Sequence, residues 1–237
     1  MMSSDLAIVG GTSLIDSGFF AGAELRQVRV GNATVAVYGQ PGAWFLPRHG
    51  VGRHVPPHLI DHAANLSALR QLGVRRILAV SSVGSLRREI TPAQYVVPDD
   101  FISLWCAPAT GVTEGAVHAT PVLDAGLRQV LCRAVRRRRL KVVPRGVYAQ
   151  TTGPRLETAA EIRFLAGFAD VVGMTMASEA AVAGELGLAY AALCVVDNFA
   201  NGIVAAPLTL AAIQASARRK AAQVIGILGA AMELLSP

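Results

Sequence analysis

Residues 77–85 have the sequence Ile-Leu-Ala-Val-Ser-Ser-Val-Gly-Ser, an apolar run that ends in a cluster of small polar residues. A short run without a polar face is typical of a strand that is covered on both sides of a sheet. Similar runs predict further strands over residues 6–9, 34–38, 142–148, 171–173 and 189–196.

Helical patterns separate these predicted strands. They cover residues 59–72, 124–137, 158–166, 179–186 and 209–235. Alternation of strands and helices is typical of α/β domains with helices on both faces of the sheet. The sequence therefore predicts a three-layer αβα fold with a mixed central β-sheet, as a single domain over residues 1–237.

The composition is that of a well-packed protein, because 52% of the 237 residues are hydrophobic and 16% are charged. Apolar runs are all too short to cross a bilayer, and residues 1–11 lack the basic segment and long apolar stretch of a signal peptide. We therefore expect a cytoplasmic protein without a membrane partner.

The net charge of +6 and the run Arg136–Arg139 raise the question of nucleic-acid binding. Aromatic residues make up only 5% of the chain, and none alternates with the basic residues to form a stacking surface. We therefore expect no nucleic-acid partner. Cys106, Cys132 and Cys194 are widely spaced in apolar surroundings, which indicates reduced structural thiols and no metal site.

Small and hydroxyl residues follow three of the predicted strands, over residues 10–13, 81–85 and 174–175. Ligands of α/β sheets bind beyond the carboxyl ends of strands, and free N–H groups with nearby hydroxyls suit an anion such as phosphate. Arg48 adds a fixed cation beside His49. Neither a P-loop nor a dinucleotide-binding glycine pattern is present, which disfavours nucleoside triphosphates and dinucleotides.

Several segments, in this order, resemble the purine nucleoside phosphorylase and methylthioadenosine phosphorylase family across nearly the whole chain. They are Ile-Val-Gly-Gly-Thr at 8–12, Leu-Pro-Arg-His-Gly at 46–50, Gly-Ser-Leu-Arg-Arg-Glu-Ile at 84–90, Gly-Pro-Arg-Leu-Glu-Thr at 153–158, Gly-Met-Thr at 173–175 followed by Glu179, and the strand that leads to Asn198. The resemblance implies phosphorolysis of a purine nucleoside by inorganic phosphate, without a cofactor, in a homotrimer.

The resemblance also implies roles for individual residues. Phosphate would be held by Thr12, Arg48, His49, Ser81, Ser82 and Thr175. Ribose would be held by Met174 and Glu179, with His118 supplied to the site of a neighbouring subunit. The base would be held by Asn198 and Glu157, or by Asp197 if the strand register differs by one residue.

The hydrogen-bonding capacity of this last pair fits a 6-oxopurine. A carboxylate only accepts, so Glu157 suits the N1–H of hypoxanthine or guanine, whereas an amide such as Asn198 both donates and accepts. Family members that cleave 6-aminopurines have Asp at the position of Asn198 and again two residues later, where this chain has Ala200.

The 5' substituent of the substrate depends on the start of the last predicted helix. Inosine and guanosine phosphorylases tend to have a histidine there, whereas this chain has Leu210. An apolar wall around Leu210 favours a methylthio group and leaves a hydroxyl without a partner. The chain thus resembles the S-methyl-5'-thioinosine phosphorylase branch most closely. A phosphorylase of inosine and guanosine, a methylthioadenosine phosphorylase, and simple core packing of Leu210 remain alternatives.

Overall fold

The computed structural model describes residues 4–11, 14, 18–20, 22–106, 109–112, 115 and 120–236. Thr12 and His118 lie outside the described residues, so their predicted roles stay predictions.

The described strands form one mixed sheet. Its order is β2-β3-β4-β1-β5-β10-β9-β7, and β11 pairs with β5 and β6, while β6 also pairs with β8. The strands are β1 (Leu6–Gly10), β2 (Glu24–Val30), β3 (Ala33–Gln40), β4 (Ala43–Pro47), β5 (Arg76–Ser85), β6 (Gln94–Val96), β7 (Asp100–Ile102), β8 (Lys141–Val143), β9 (Val147–Gln150), β10 (Val171–Gly173) and β11 (Ala189–Phe199).

Helices cover both faces of this sheet. They are α1 (His62–Gln71), α2 (Ala125–Arg137), α3 (Ala159–Leu165), α4 (Met176–Glu185) and α5 (Leu210–Leu235), with a short 3₁₀ helix at Pro57–Leu59. Helices α1, α2, α3 and α5 begin at a side chain that accepts a hydrogen bond from a first-turn N–H, which satisfies a donor that the helix leaves free. These cap residues are Asp61, Asp124, Thr158 and Thr209.

Alternate residues of β5 and β11 enter two different cores. Ile77 and Ala79 pack with buried residues of α1 and α4, whereas Leu78 and Val80 pack with α2 and α5. This division follows from the twofold alternation of side chains along a strand. The predicted α/β fold with a mixed central sheet is therefore confirmed, with α1 and α4 on one face and α2 and α5 on the other.

Some predicted elements differ from the structure. The single strand predicted over 142–148 is wrong, because Pro144 lacks a donor for the ladder and the chain forms two strands, β8 and β9, on either side of the segment 144–146. The helix predicted from Glu179 begins three residues earlier, at Met176. Within the described part of the chain, no helix combines the length and apolar character needed to span a bilayer.

Candidate active site

An opening in the sheet lies along the second half of β5. One edge of β5 pairs with β1 over residues 76–79 and with β10 at Gly84 and Ser85. Between these partners, residues 80–83 have no strand on that edge among the described strands, although their other edge pairs with β11. Strand β1 therefore ends at one side of this gap and β10 at the other, while β5 and β11 run past it.

Arg48 follows β4 at one side of this gap and is almost completely buried, at 4% exposure. Its Nε and Nη2 donate to the two carboxylate oxygens of Glu179 at 2.6 and 2.9 Å, and its Nη1 donates to the carbonyl of Val80 at 2.7 Å. A guanidinium has five N–H donors, so two have no partner among the described residues and are available to a ligand. Glu179 thus holds the predicted phosphate-binding cation in place.

Both carboxylate oxygens of Glu179 accept hydrogen bonds from protein groups. Its Oε2 also accepts a hydrogen bond from the Tyr190 hydroxyl at 2.7 Å. Burial alone would raise the pKa of Glu179, but the charge of Arg48 and the hydrogen bonds from Arg48 and Tyr190 hold it below the ordinary value. The carboxylate is therefore ionised at neutral pH. Its predicted contact with ribose stays a prediction, since this structure engages both oxygens elsewhere.

His49 is half-buried beside Arg48. Burial, the nearby charge of Arg48 and the ring of His54 together lower the pKa of His49 to about 4, against a raising effect of the Val55 carbonyl. Nδ1 lies 2.8 Å from that carbonyl, which can only accept. The ring is therefore neutral at pH 7 with its proton on Nδ1, and Nε2 is left as an acceptor. Gly11 lies next to Nε2, where an added Cβ would be 3.9 Å away.

Ser81 and Ser82 point to opposite faces of the sheet. Ser81 is 3% exposed, and its Oγ has no hydrogen-bond partner among the described residues. Ser82 donates from Oγ to Asp197 Oδ2 at 2.6 Å, on the face that α5 covers. The two hydroxyls that were predicted to bind one phosphate thus lie on opposite faces of the sheet. Of the two, Ser81 Oγ is the buried one that has no partner among the described residues.

Thr175 precedes α4, and a tyrosine hydroxyl caps N–H groups at the start of that helix. The Tyr148 hydroxyl accepts hydrogen bonds from the N–H groups of Thr175 and Met176 at 3.2 and 3.4 Å. Thr175 is 7% exposed, and its side chain makes no capping hydrogen bond. Met174 packs on Gly153, where an added Cβ would lie 2.6 Å from the Met174 sulfur.

Asn198 and Asp197 have different surroundings. Asn198 Nδ2 donates to the carbonyl of Phe199 at 2.8 Å and lies 3.2 Å from the point where a Cβ on Gly84 would stand. Asp197 is 5% exposed and accepts from Ser82 and from Ser216 of α5. Asp197 and Asn198 were predicted as alternative base-binding residues. The carboxylate of Asp197 is hydrogen-bonded on the α5 face of the sheet.

Glu157 lines a cavity of about 580 Å³. Its carboxylate accepts a hydrogen bond from the Thr151 hydroxyl, and its main-chain carbonyl accepts one from Asn201 Nδ2 at 3.3 Å. Asn201 lies three residues after Asn198, so the two predicted base-binding segments are joined. The cavity is lined by Trp105, Thr151, Thr152, Gly153, Arg155, Glu157, Ala160, Glu161, Phe164 and Leu165.

Leu210 begins α5 and is 65% exposed. It does not pack in the core of this chain, which removes that alternative interpretation, while its predicted role as a 5' wall stays a prediction. Within the described ranges, no group of three or more His, Cys, Asp or Glu side chains is arranged to hold a metal ion.

The profile of the phosphorylase superfamily matches residues 6–233, nearly the whole chain. The chain belongs to the phosphorylase superfamily. The resemblance seen in the sequence motifs is therefore confirmed.

Members of this superfamily include close relatives of the chain. It is 41% identical to a probable 6-oxopurine nucleoside phosphorylase of Archaeoglobus fulgidus over 84% of this chain and 83% of the relative. It is 36% identical to a probable S-methyl-5'-thioinosine phosphorylase of Methanothermobacter thermautotrophicus over 96% and 83%. The methylthioadenosine phosphorylase of Schistosoma mansoni, solved with adenine, superposes with a TM-score of 0.89 at 26% identity, over 98% of this chain and 92% of that one.

Sequence reasoning missed several residues of this phosphorylase-superfamily site. Tyr190, Tyr148 and Thr151 each hold a predicted site residue, yet a tyrosine inside a strand or a threonine before a loop gives no distinctive pattern. His62 was also missed. It is 6% exposed, and its Nδ1 has no partner among the described residues. Burial lowers its pKa, with a smaller raising effect of the charge on Glu179.

Proposed function

We propose that this chain cleaves 6-oxopurine nucleosides by phosphorolysis, with S-methyl-5'-thioinosine as the preferred substrate. The products are hypoxanthine and 5-methylthioribose 1-phosphate. A phosphate oxygen forms a bond to C1' as the bond from C1' to N9 breaks and its electron pair moves onto the purine. Inorganic phosphate is the co-substrate, and no cofactor takes part.

Groups around the gap in the sheet support a phosphate site. Arg48 supplies positive charge and two N–H donors, and Ser81 supplies a buried hydroxyl, none of which has a partner among the described residues. His49 Nε2, as an acceptor, suits the P–O–H group of a hydrogen phosphate. Phosphate stabilises the positive charge that develops on the sugar as well as attacking it.

The position of Asp197 is the observation that carries the choice of base. A methylthioadenosine phosphorylase would need this carboxylate at the base, but Ser82, Ser216 and Lys220 engage it on the other face. The amide of Asn198 is left to donate to O6 or N7, and Glu157 to accept from N1–H. The names of two relatives, a 6-oxopurine and a methylthioinosine phosphorylase, agree with this assignment.

An inosine and guanosine phosphorylase with the same chemistry is the second candidate. The exposed Leu210 favours the methylthio substrate over it, because an apolar side chain offers a 5'-hydroxyl no hydrogen bond.

We further propose a homotrimer. An exposed aromatic group supports an interface between subunits: the Phe164 ring contacts those of Trp105 and Phe168 at centroid distances of 5.8 and 5.5 Å, and all three side chains are more than half exposed. Light scattering after size exclusion would measure the mass, and three times 24.8 kDa is the expected value. We place this activity in the cytoplasm, in salvage of the purine base.

The test is base release from methylthioinosine, inosine, guanosine and methylthioadenosine, each with and without phosphate. Phosphate-dependent cleavage led by methylthioinosine is expected. A lead for inosine or guanosine would discard the methylthio preference alone, a lead for methylthioadenosine would overturn the base assignment, and cleavage without phosphate would indicate a hydrolase.

A further inference from the structure

The ladder between β11 and β5 contains an irregularity directly before Asn198. Val196 pairs with Val83 and Asn198 pairs with Gly84, so Asp197 is the extra residue of a β-bulge. A bulge bends its strand and redirects the side chains that follow, and such bulges occur next to active sites. The direction of the Asn198 amide therefore depends on how this bulge is held.

Helix α5 holds the bulge through polar contacts. Lys220 Nζ donates to the carbonyl of Val196 and lies 3.4 Å from Asp197 Oδ1. Ser216 Oγ, one turn earlier, donates to the same oxygen at 2.9 Å. The side chains of Lys220 and Asp197 are 14% and 1% exposed, so the ion pair is shielded from water.

Removal of either partner would leave the other charge buried without its counterion. An apolar contact between α5 and β11 would give at least as much stability as this ion pair, because buried ion pairs contribute little net free energy to folding. Ion pairs of this kind can instead specify one geometry among several. The geometry that this pair specifies is that of residues 196–198.

We propose that Lys220, assisted by Ser216, is a positioning residue for catalysis: through Asp197 it fixes the bulge that aims the Asn198 amide at the purine base. This inference rests on the proposed function, in which Asn198 donates a hydrogen bond to the base. Lys220 does not touch the substrate, and its effect is expected on turnover because the hydrogen bond from Asn198 strengthens toward the transition state.

A double-mutant cycle between Lys220→Met and Asn198→Ala tests this inference, with kcat and KM measured on methylthioinosine and inosine at saturating phosphate. Lys220→Met alone is expected to lower kcat about 10-fold and to change KM less than about threefold. In the Asn198→Ala background the same substitution is expected to change kcat less than about twofold, because the group that it positions is gone.

Three further variants complete the design. Arg219→Met removes the neighbouring exposed cation of α5 and is the matched control, expected to retain wild-type kcat. Lys220→Arg keeps the charge and the donors and is expected to restore most of the turnover. Ser216→Ala removes one hydrogen bond to Asp197 and is the milder substitution for the same cycle if Lys220→Met does not fold.

The outcomes distinguish failure of the positioning role from failure of the proposed function. Equal losses from Lys220→Met in both backgrounds, or no loss in either, would overturn the positioning role and leave the proposed function standing. Wild-type turnover in Asn198→Ala would overturn the base assignment and the positioning role together.

Discussion

The Asn198 amide occupies a confined position between Phe199 and Gly84, at the end of a buried strand. A donor held in this way needs no reorganisation when negative charge moves onto the leaving base. We expect Asn198→Ala to lose about 2–4 kcal/mol of transition-state stabilisation, as for removal of one oxyanion donor. The measurement is kcat/KM for methylthioinosine, and a near-wild-type value would contradict the assigned role.

The ion pair of Arg48 and Glu179 predicts a large loss of folding stability when one of its charges is removed. Both side chains are at most 3% exposed, so loss of one charge leaves the other buried and unpaired. We expect Glu179→Gln to lower the free energy of unfolding by about 3–5 kcal/mol, measured by urea denaturation at pH 7. Glu233→Gln is the control, because Glu233 is 76% exposed at 3.9 Å from Arg137, and we expect a change below about 0.5 kcal/mol. Similar values for the two variants would show that the Arg48 pair is solvated.

His49 gives the protein a pH dependence of defined sign. Its pKa is lowered from 6.5 to about 4, chiefly by burial. Between these values the unfolded chain binds the proton and the folded chain does not, so stability falls as the pH is lowered through this window. We expect His49→Gln to make that fall less steep in unfolding measurements at pH 4–7.5. Identical slopes in the two proteins would mean that His49 is already charged in the folded state.

Among the elements, β5, β10 and β11 approach each other closely at Gly84, beside the gap. A Cβ at Gly84 would lie 3.2 Å from Asn198 Nδ2 and 3.3 Å from both Ala200 Cβ and Val172 Cγ1. We expect Gly84→Ala to lower kcat by displacing Asn198 and to cost about 1–3 kcal/mol of stability through overpacking.

The control for this substitution is Gly229→Ala in α5. Among the described residues, nothing outside the backbone of α5 itself lies within 4 Å of an added Cβ there, so we expect a gain of about 0.5–1 kcal/mol from the helix interior and unchanged activity. Unchanged kcat in Gly84→Ala, measured beside this control, would show that Asn198 tolerates the added methyl group.

Several elements with an apolar pattern were predicted from sequence, although the buried strand β4 was missed, and exposed or interrupted elements were not predicted correctly. Strand β5 was predicted because its first half is apolar on both faces. Strand β2 was missed because it lies at the sheet edge with Arg26 and Arg29 among its largely exposed residues. The strand predicted over residues 142–148 included Pro144 and Gly146. Both interrupt a ladder, because Pro144 has no N–H and Gly146 has a φ of +157°.

Across the molecule, sequence motifs identify residues of the candidate site, but only the fold determines which of them contact each other. Arg48 and Glu179 could each be singled out from local motifs. Their mutual ion pair could not, because 131 residues separate them in sequence. The choice between Asp197 and Asn198 also stayed open, since a β-bulge leaves no hydrophobic periodicity from which to read it.

The two halves of α5 differ in how many of their residues are buried. Of its buried residues, Ser216 alone belongs to the first half, whereas the other five, from Val224 to Ala231, belong to the second half. Amide hydrogens exchange with solvent through local openings whose cost follows the apolar contacts that must be broken. Residues 210–220 should therefore exchange faster than residues 224–235, and nucleoside bound under Leu210 should slow the first group only. The two halves of a single helix would then differ in how readily they open, with Leu210 at the less protected end.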